Sequence, residues 1–329
     1  MCFCFRMRQA TRAILLAVLT FLSTLAIGAA AVMTSAITLA ATALIVPGTG
    51  THNVNTAIGY KPNARDYYMT NTPCSGTDCP DANLIGIDYP ASFWPLPFPG
   101  WCPSVGCDKW NVSVGKGVDN LHSELLAALN DPSKPDQQIV IFGYSQGAAV
   151  ISNELRYNFD SLTPEQRARV TGVVVGNIDR PGGGFFTRFG FLGRIPILDA
   201  TLGLATPTDT IPMYDIAMEY DGVSDFPLYP IDLLSVFNAI AGFAYIHGTY
   251  LEPNENSNFE GSPDGYSKDE LLDIINDPNN IQGVKGQTTY ILIPSKTLPI
   301  VMPVLAFGAA TGAPAPRTRL SRRAPPSSS

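Results

Sequence analysis

Four short apolar runs stand out along the chain, each bounded by glycine, proline or polar residues: 42–46 (TALIV), 83–87 (NLIGI), 138–142 (QIVIF) and 170–175 (VTGVVV). Uninterrupted, β-branched runs of this length suit parallel strands buried on both faces, since neither face meets water. Between them the period changes. Val118, Leu121, Leu125 and Leu129 recur at helical spacing until Asp131-Pro132 stops the run, and 148–159 (AAVISNELRYNF) is helical directly after the third strand. Strands alternating with helices predict right-handed βαβ units, hence an α/β fold with a mainly parallel central sheet and helices on both faces. A later strand is expected within 211–220 (IPMYDIAMEY), followed by a turn at Asp221-Gly222. Residues 182–206 are both Gly-rich and aromatic and read as an excursion from the sheet. Neither an internal repeat nor a second domain is visible.

The two ends break this pattern. Arg6, Arg8 and Arg12 precede a stretch that begins at Ala13 and meets no charge until Lys61. A positive flank before an apolar run predicts a signal peptide or N-terminal membrane anchor in residues 1–35, with Ala29, Ala30 and Ala31 offering a cleavage site. Residues 309–329 (AATGAPAPRTRLSRRAPPSSS) are too poor in apolar surface to offset their ordering entropy and predict a disordered tail. The folded domain is therefore expected at 36–308.

Composition narrows the class. Of 329 residues, 45% are hydrophobic and 15% charged, which excludes a disordered chain. The formal charge of −7, with no basic stripe in the folded part, excludes nucleic acid as a partner. Six cysteines are present. Cys2 and Cys4 precede the apolar run, and the others form two equally spaced pairs in Pro/Gly/Ser/Asp-rich segments. Local disulfides Cys74–Cys79 and Cys102–Cys107 are expected in an oxidising compartment. A zinc site would need CxxC-type spacing and usually histidine partners, so no metal is implied.

The chemistry centres on Gly143-Tyr144-Ser145-Gln146-Gly147, a complete G-x-S-x-G between a strand and a helix. Such a turn lifts the serine hydroxyl clear of the sheet, and the glycines let strand and helix approach. A serine needs a base, and in this architecture the order along the chain is nucleophile, acid, histidine. Of His52, His122 and His247, only His247 follows Ser145. His52 is expected at the surface beside the Gly-rich loop, where it could line the pocket, and His122 is expected to be structural. Asp225 is the first choice for the acid, on the extended segment before Phe226-Pro227, and Asp221 is the runner-up. The oxyanion donors are expected to be the backbone amides of Gln146 and of Thr49, the latter in the Gly-rich turn after TALIV. The aromatics of 91–101 (ASFWPLPFPGW) and of the 182–206 excursion can build an acyl groove or lid, pack as core, or face a membrane.

Several pieces together resemble the PE-PPE domain, a family of mycobacterial serine α/β-hydrolases akin to cutinases. They are LIVPGTGT, VIFGYSQGA, VVVGNIDRPGGG, YDIAMEYDGVSDFP, NAIAGFAYIHGTY and TTYILIPSKTLPIVMPVL, spread from Leu44 to about Leu305. The resemblance implies a cutinase-like α/β-hydrolase fold and a triad of Ser145, an aspartate of YDGVSDFP and His247, and it supports Thr49 and Asp225. Ile178-Asp179 departs from the family pattern, which usually has proline after the asparagine.

The function expected is an exported serine esterase or lipase, secreted or held at the cell envelope, acting on lipid or acyl-ester substrates without a cofactor. An acyltransferase that moves the acyl group onto a sugar such as trehalose would use the same triad. A non-catalytic lipid-binding protein is opposed by the intact serine, histidine and acid.

Overall fold

The computed structural model describes residues 40–104, 106–253 and 263–305. The segments expected as export signal or anchor (1–35) and as tail (309–329) lie outside these residues, as do Cys2 and Cys4.

The central sheet has seven strands: β1 (Thr42–Val46), β2 (Leu84–Gly86), β3 (Ile139–Tyr144), β4 (Val170–Val175), β5 (Met213–Met218), β6 (Ile281–Lys285) and β7 (Thr288–Ile293). Their order across the sheet is β2-β1-β3-β4-β5-β7-β6. All neighbours run parallel except the edge strand β6, which pairs antiparallel with β7. This is the mainly parallel α/β sheet that the strand–helix alternation predicts, and it fits the α/β-hydrolase fold that the family resemblance implies. The first five strands match the expected runs to within a few residues. β6 and β7 have no counterpart among the expected strands.

The helices that matter for the site are α1 (Tyr60–Tyr68), α2 (Trp110–Leu129), α3 (Gln146–Tyr157), α4 (Leu233–Tyr245) and α5 (Lys268–Asn276). Because side chains alternate along a strand, the sheet feeds two cores. Leu44, Val46, Ile139, Ile141 and Val174 pack under α2 and α3 on one face. Ala43, Ile45, Val140, Phe142 and Val173 pack under α1 and α5 on the other. α2 buries Trp110, Val114, Val118, Leu121, Leu125 and Leu129, spaced three or four apart as one helical face requires. Gly117 on that face permits close approach to α3, since a Cβ there would stand 2.7 Å from Val150.

Cys74–Cys79 and Cys102–Cys107 are disulfide-bonded, as their spacing suggests. The 182–206 excursion closes through a two-stranded hairpin, Arg194–Ile195 with Ala200–Thr201, and is tied to the start of α2 by the Trp110 and Asn111 amides donating to Leu198 and Asp199.

Candidate active site

Ser145 sits between the last residue of β3 and the first of α3, with φ 55° and ψ −114°. For a residue with a Cβ this is a strained conformation, held by the strand and helix on either side. The flanking glycines have a steric reason. A Cβ on Gly147 would lie 2.2 Å from the Val46 carbonyl oxygen, and one on Gly143 would lie 2.5 Å from the Gly147 oxygen. The turn therefore presses α3 onto β1, and the serine side chain is what remains pointing outward.

His247 follows α4 directly, in a tight turn spanning His247–Thr249, and is buried. Its Nε2 lies 2.9 Å from Ser145 Oγ, across 102 residues of sequence. Its Nδ1 lies 3.0 Å from both carboxylate oxygens of Asp221. Asp221 is fully buried. Burial pushes its carboxyl up, but the facing imidazole and hydrogen bonds from the Ser224 hydroxyl and Val223 amide outweigh that and hold it below the ordinary 3.8. Ser224 Oγ donates to Asp221 Oδ2 at 2.6 Å and the Tyr250 hydroxyl does so at 2.9 Å. Burial raises the Tyr250 phenol well above its ordinary value, so it stays a donor, while the Met218 amide donates back to it at 2.7 Å.

The first-ranked acid is corrected. Asp225 does not meet His247; its carboxylate accepts the Tyr220 amide at 2.9 Å and faces a separate cavity with Arg188. The reason is the backbone at the end of β5. Tyr220 adopts φ 65°, which reverses the chain, and Asp225 N–H then closes the turn onto the Asp221 carbonyl at 2.8 Å. The first residue of that turn aims inward and the fifth aims away.

The loop after β1 abuts the serine because residue 48 is glycine: a Cβ there would stand 3.2 Å from Ser145 Cβ. Its amides are used unevenly. Gly48 donates to the Tyr60 hydroxyl, Gly50 to the Ala91 carbonyl and Thr51 to the Gly48 carbonyl. The Thr49 amide has no such internal acceptor among the described residues, and Thr49 lines the cavity that Ser145 opens into. Gln146 is the first residue of α3, where the amide has no intrahelical partner. Its side chain is turned inward instead, bonding Ser113 and Ser92. Two N–H groups thus remain beside the serine, at the positive end of a helix.

That cavity encloses about 380 Å³. Apart from Thr49, Ser145 and His247, every side chain lining it is apolar or aromatic. Phe93, Leu96, Phe98 and Trp101 come from the first aromatic segment, and Phe185, Phe186, Ile195, Leu198 and Leu202 from the excursion. The two aromatic segments of the sequence therefore supply two of the cavity walls, and Ala239, Ile240 and Phe243 of α4 contribute another.

His52 and His122 are placed elsewhere. His52 bonds the carbonyls of Pro90 and Gly100, pinning the aromatic segment. His122 Nδ1 meets the buried Glu154 at 2.8 Å, between α2 and α3. Three supporting residues are not apparent from the sequence. Tyr144, the variable residue of the G-x-S-x-G, donates its hydroxyl to the His247 carbonyl. Tyr250, three residues after the histidine, and Ser224 hold Asp221. Spacing of three around a helical turn is a usable signal for Tyr250. None exists for Ser224.

Chemically, an imidazole fixed through Nδ1 by a carboxylate leaves its Nε2 lone pair facing a hydroxyl. That arrangement can take the serine proton and return it to a leaving group.

Among known sequences, the family model described as PE-PPE domain matches residues 80–315. The uncharacterized PPE family protein PPE42 of Mycobacterium tuberculosis (strain CDC 1551 / Oshkosh) is 35% identical over 258 residues, 73% of this chain and 40% of that protein. Esterase PE16 of Mycobacterium tuberculosis (strain ATCC 25618 / H37Rv) is 28% identical over 270 residues, 80% of this chain and 44% of that protein. Diacyltrehalose acyltransferase Chp2 of the same strain is 27% identical over 248 residues, 70% of this chain and 60% of that protein. The chain thus spans less than half the length of the first two.

Proposed function

Since this chain belongs to the PE-PPE domain family, we propose that it is an exported serine esterase or lipase, cleaving acyl esters through an acyl-Ser145 intermediate. The observation that carries this reading is the hydrogen-bonded line Ser145–His247–Asp221 opening on an apolar cavity. His247 Nε2 takes the Ser145 proton as Oγ attacks the ester carbonyl carbon. The oxyanion is met by the amides of Gln146 and Thr49. Collapse breaks the C–O bond, and the imidazolium protonates the departing alcohol. Water, deprotonated by the same imidazole, then attacks the acyl-enzyme and frees the acid and Ser145. Asp221 keeps the imidazole in the required tautomer and stays ionised throughout. The cavity walls receive the acyl chain, because a lining with three polar residues favours hydrocarbon over water. Export is supported by the charge-flanked apolar run 13–33 and by the two disulfides.

A second reading is favoured by the similarity to a diacyltrehalose acyltransferase: a sugar hydroxyl in place of water as acceptor. Water and alcohol compete for one intermediate, so a product assay separates them. The purified protein is incubated with a lipid ester, with and without trehalose. Hydrolysis predicts free fatty acid in both, and dominant acyl-trehalose would replace it with transfer. Ser145→Ala is expected to lower either product by at least about a thousandfold. Product formation at the wild-type rate in that variant would remove the nucleophile from the account.

A further inference from the structure

Helix α4, which delivers His247, is built the reverse of an ordinary surface helix. Its 13 residues carry no charged side chain. The face turned to the protein is small or polar, with Asn238, Ala239 and Gly242 buried. A Cβ on Gly242 would lie 1.8 Å from the Tyr220 carbonyl oxygen, so this face lies backbone to backbone on the turn that carries Asp221. The outward face holds the large apolar residues: Leu233, Leu234, Phe237 and Ile240 are 56–70% exposed, and Ile231 just before them is 89% exposed. A helix normally buries such a face, and a contiguous patch of this kind marks a surface meant for an apolar phase.

The cavity says which phase. The patch is continuous with the mouth of the cavity, because Ile240 belongs to both and exposed Phe98, another lining residue, packs edge-on against Phe243 of α4. An acyl ester bound for Ser145 therefore crosses this face. A helix face without charge that runs on into an apolar cavity complements a lipid surface.

We propose that the α4 face seats on a lipid surface, with the helix in the plane of the interface and the cavity mouth opening into the acyl region. Thirteen residues are too few to span a bilayer, and among the described residues no helix is long and apolar enough to do so. The inference deepens the ester-hydrolase reading, on which it rests for the route of the substrate but not for the contact itself.

The test uses the full chain and a local readout, so that any binding by the N-terminal apolar run does not enter. Phe237→Trp places a fluorophore on the patch. Phosphatidylcholine vesicles brominated in the acyl chains are expected to quench this added emission, and the same vesicles without bromine to leave it. In parallel, Leu233→Glu is expected to slow hydrolysis of a vesicle-borne ester by about tenfold or more while leaving a water-soluble short-chain ester unaffected. An added tryptophan that stays unquenched on vesicle-bound protein would overturn the proposal. So would emission already shifted to the blue without lipid in a protein that sediments as a dimer, which would give the face to a second copy. Quenching in a protein that hydrolyses no ester would support the lipid contact and sink the hydrolase reading instead.

Discussion

Asp221 and Asp225 stand at the two ends of one closed turn, yet only the first reaches His247. Sequence could isolate Ser145, because a G-x-S-x-G sits between a strand and a helix, and His247, because no other histidine follows it. It could not rank the aspartates, because the choice rests on the left-handed backbone of Tyr220, a residue type seldom found there. The consequence is sharp. Asp221→Asn removes the charge that fixes the imidazole and is expected to lower kcat by about ten-thousandfold, while Asp225→Asn should leave kcat little changed. Steady-state kinetics on a soluble ester decides, and the opposite ranking would return the acid to Asp225. The lowered carboxyl of Asp221 also sets a direction with pH. A depressed carboxylate contributes stability above 3.8 that is lost only as pH falls through its folded value.

At the level of elements, the strands with two buried faces were legible and the last two were not. β1, β3 and β4 are continuous apolar runs, since both sides of each meet helices. β6 (IQGVK) is exposed along its whole length at the sheet edge, so no buried face imprints a pattern on it. The 182–206 excursion was recognisable as foreign to the sheet, but its role as a cavity wall depends on long-range contacts to α2 that no local pattern carries. Contact between α4 and the Asp221 turn is equally long-range and yields a prediction. Gly242→Ala forces apart two backbones already in contact and should cost about 3 kcal/mol or more, with loss of activity, measured by denaturant midpoint and ester hydrolysis. Gly100→Ala is the control: φ is +80° there and a Cβ would meet nothing within 4 Å, so only the ordinary cost of about 1–2 kcal/mol for a left-handed residue applies.

On the scale of the whole molecule, the fold carries a buried acid outside the triad. Asp179 is buried, its Oδ1 has no hydrogen-bond partner among the described residues, and desolvation raises it from 3.8 to about 7 despite the Arg156 charge. The unfolded chain sheds this proton above 3.8 while the folded one holds it to about 7, so folding loses stability as pH rises between those values. The loss approaches ~4 kcal/mol above pH 7. Asp179→Asn should therefore raise the midpoint of thermal unfolding at pH 8 and leave it nearly unchanged near pH 4; an equal shift at both would assign the effect to packing instead.

All of this converges on one hydroxyl. Reacting the purified full chain with a fluorophosphonate and sequencing the modified peptide by mass spectrometry measures it directly. One equivalent of probe is predicted on Ser145, and none on Ser145→Ala. A folded protein that remains unmodified, or an alanine variant that takes up the probe equally, would contradict the assignment.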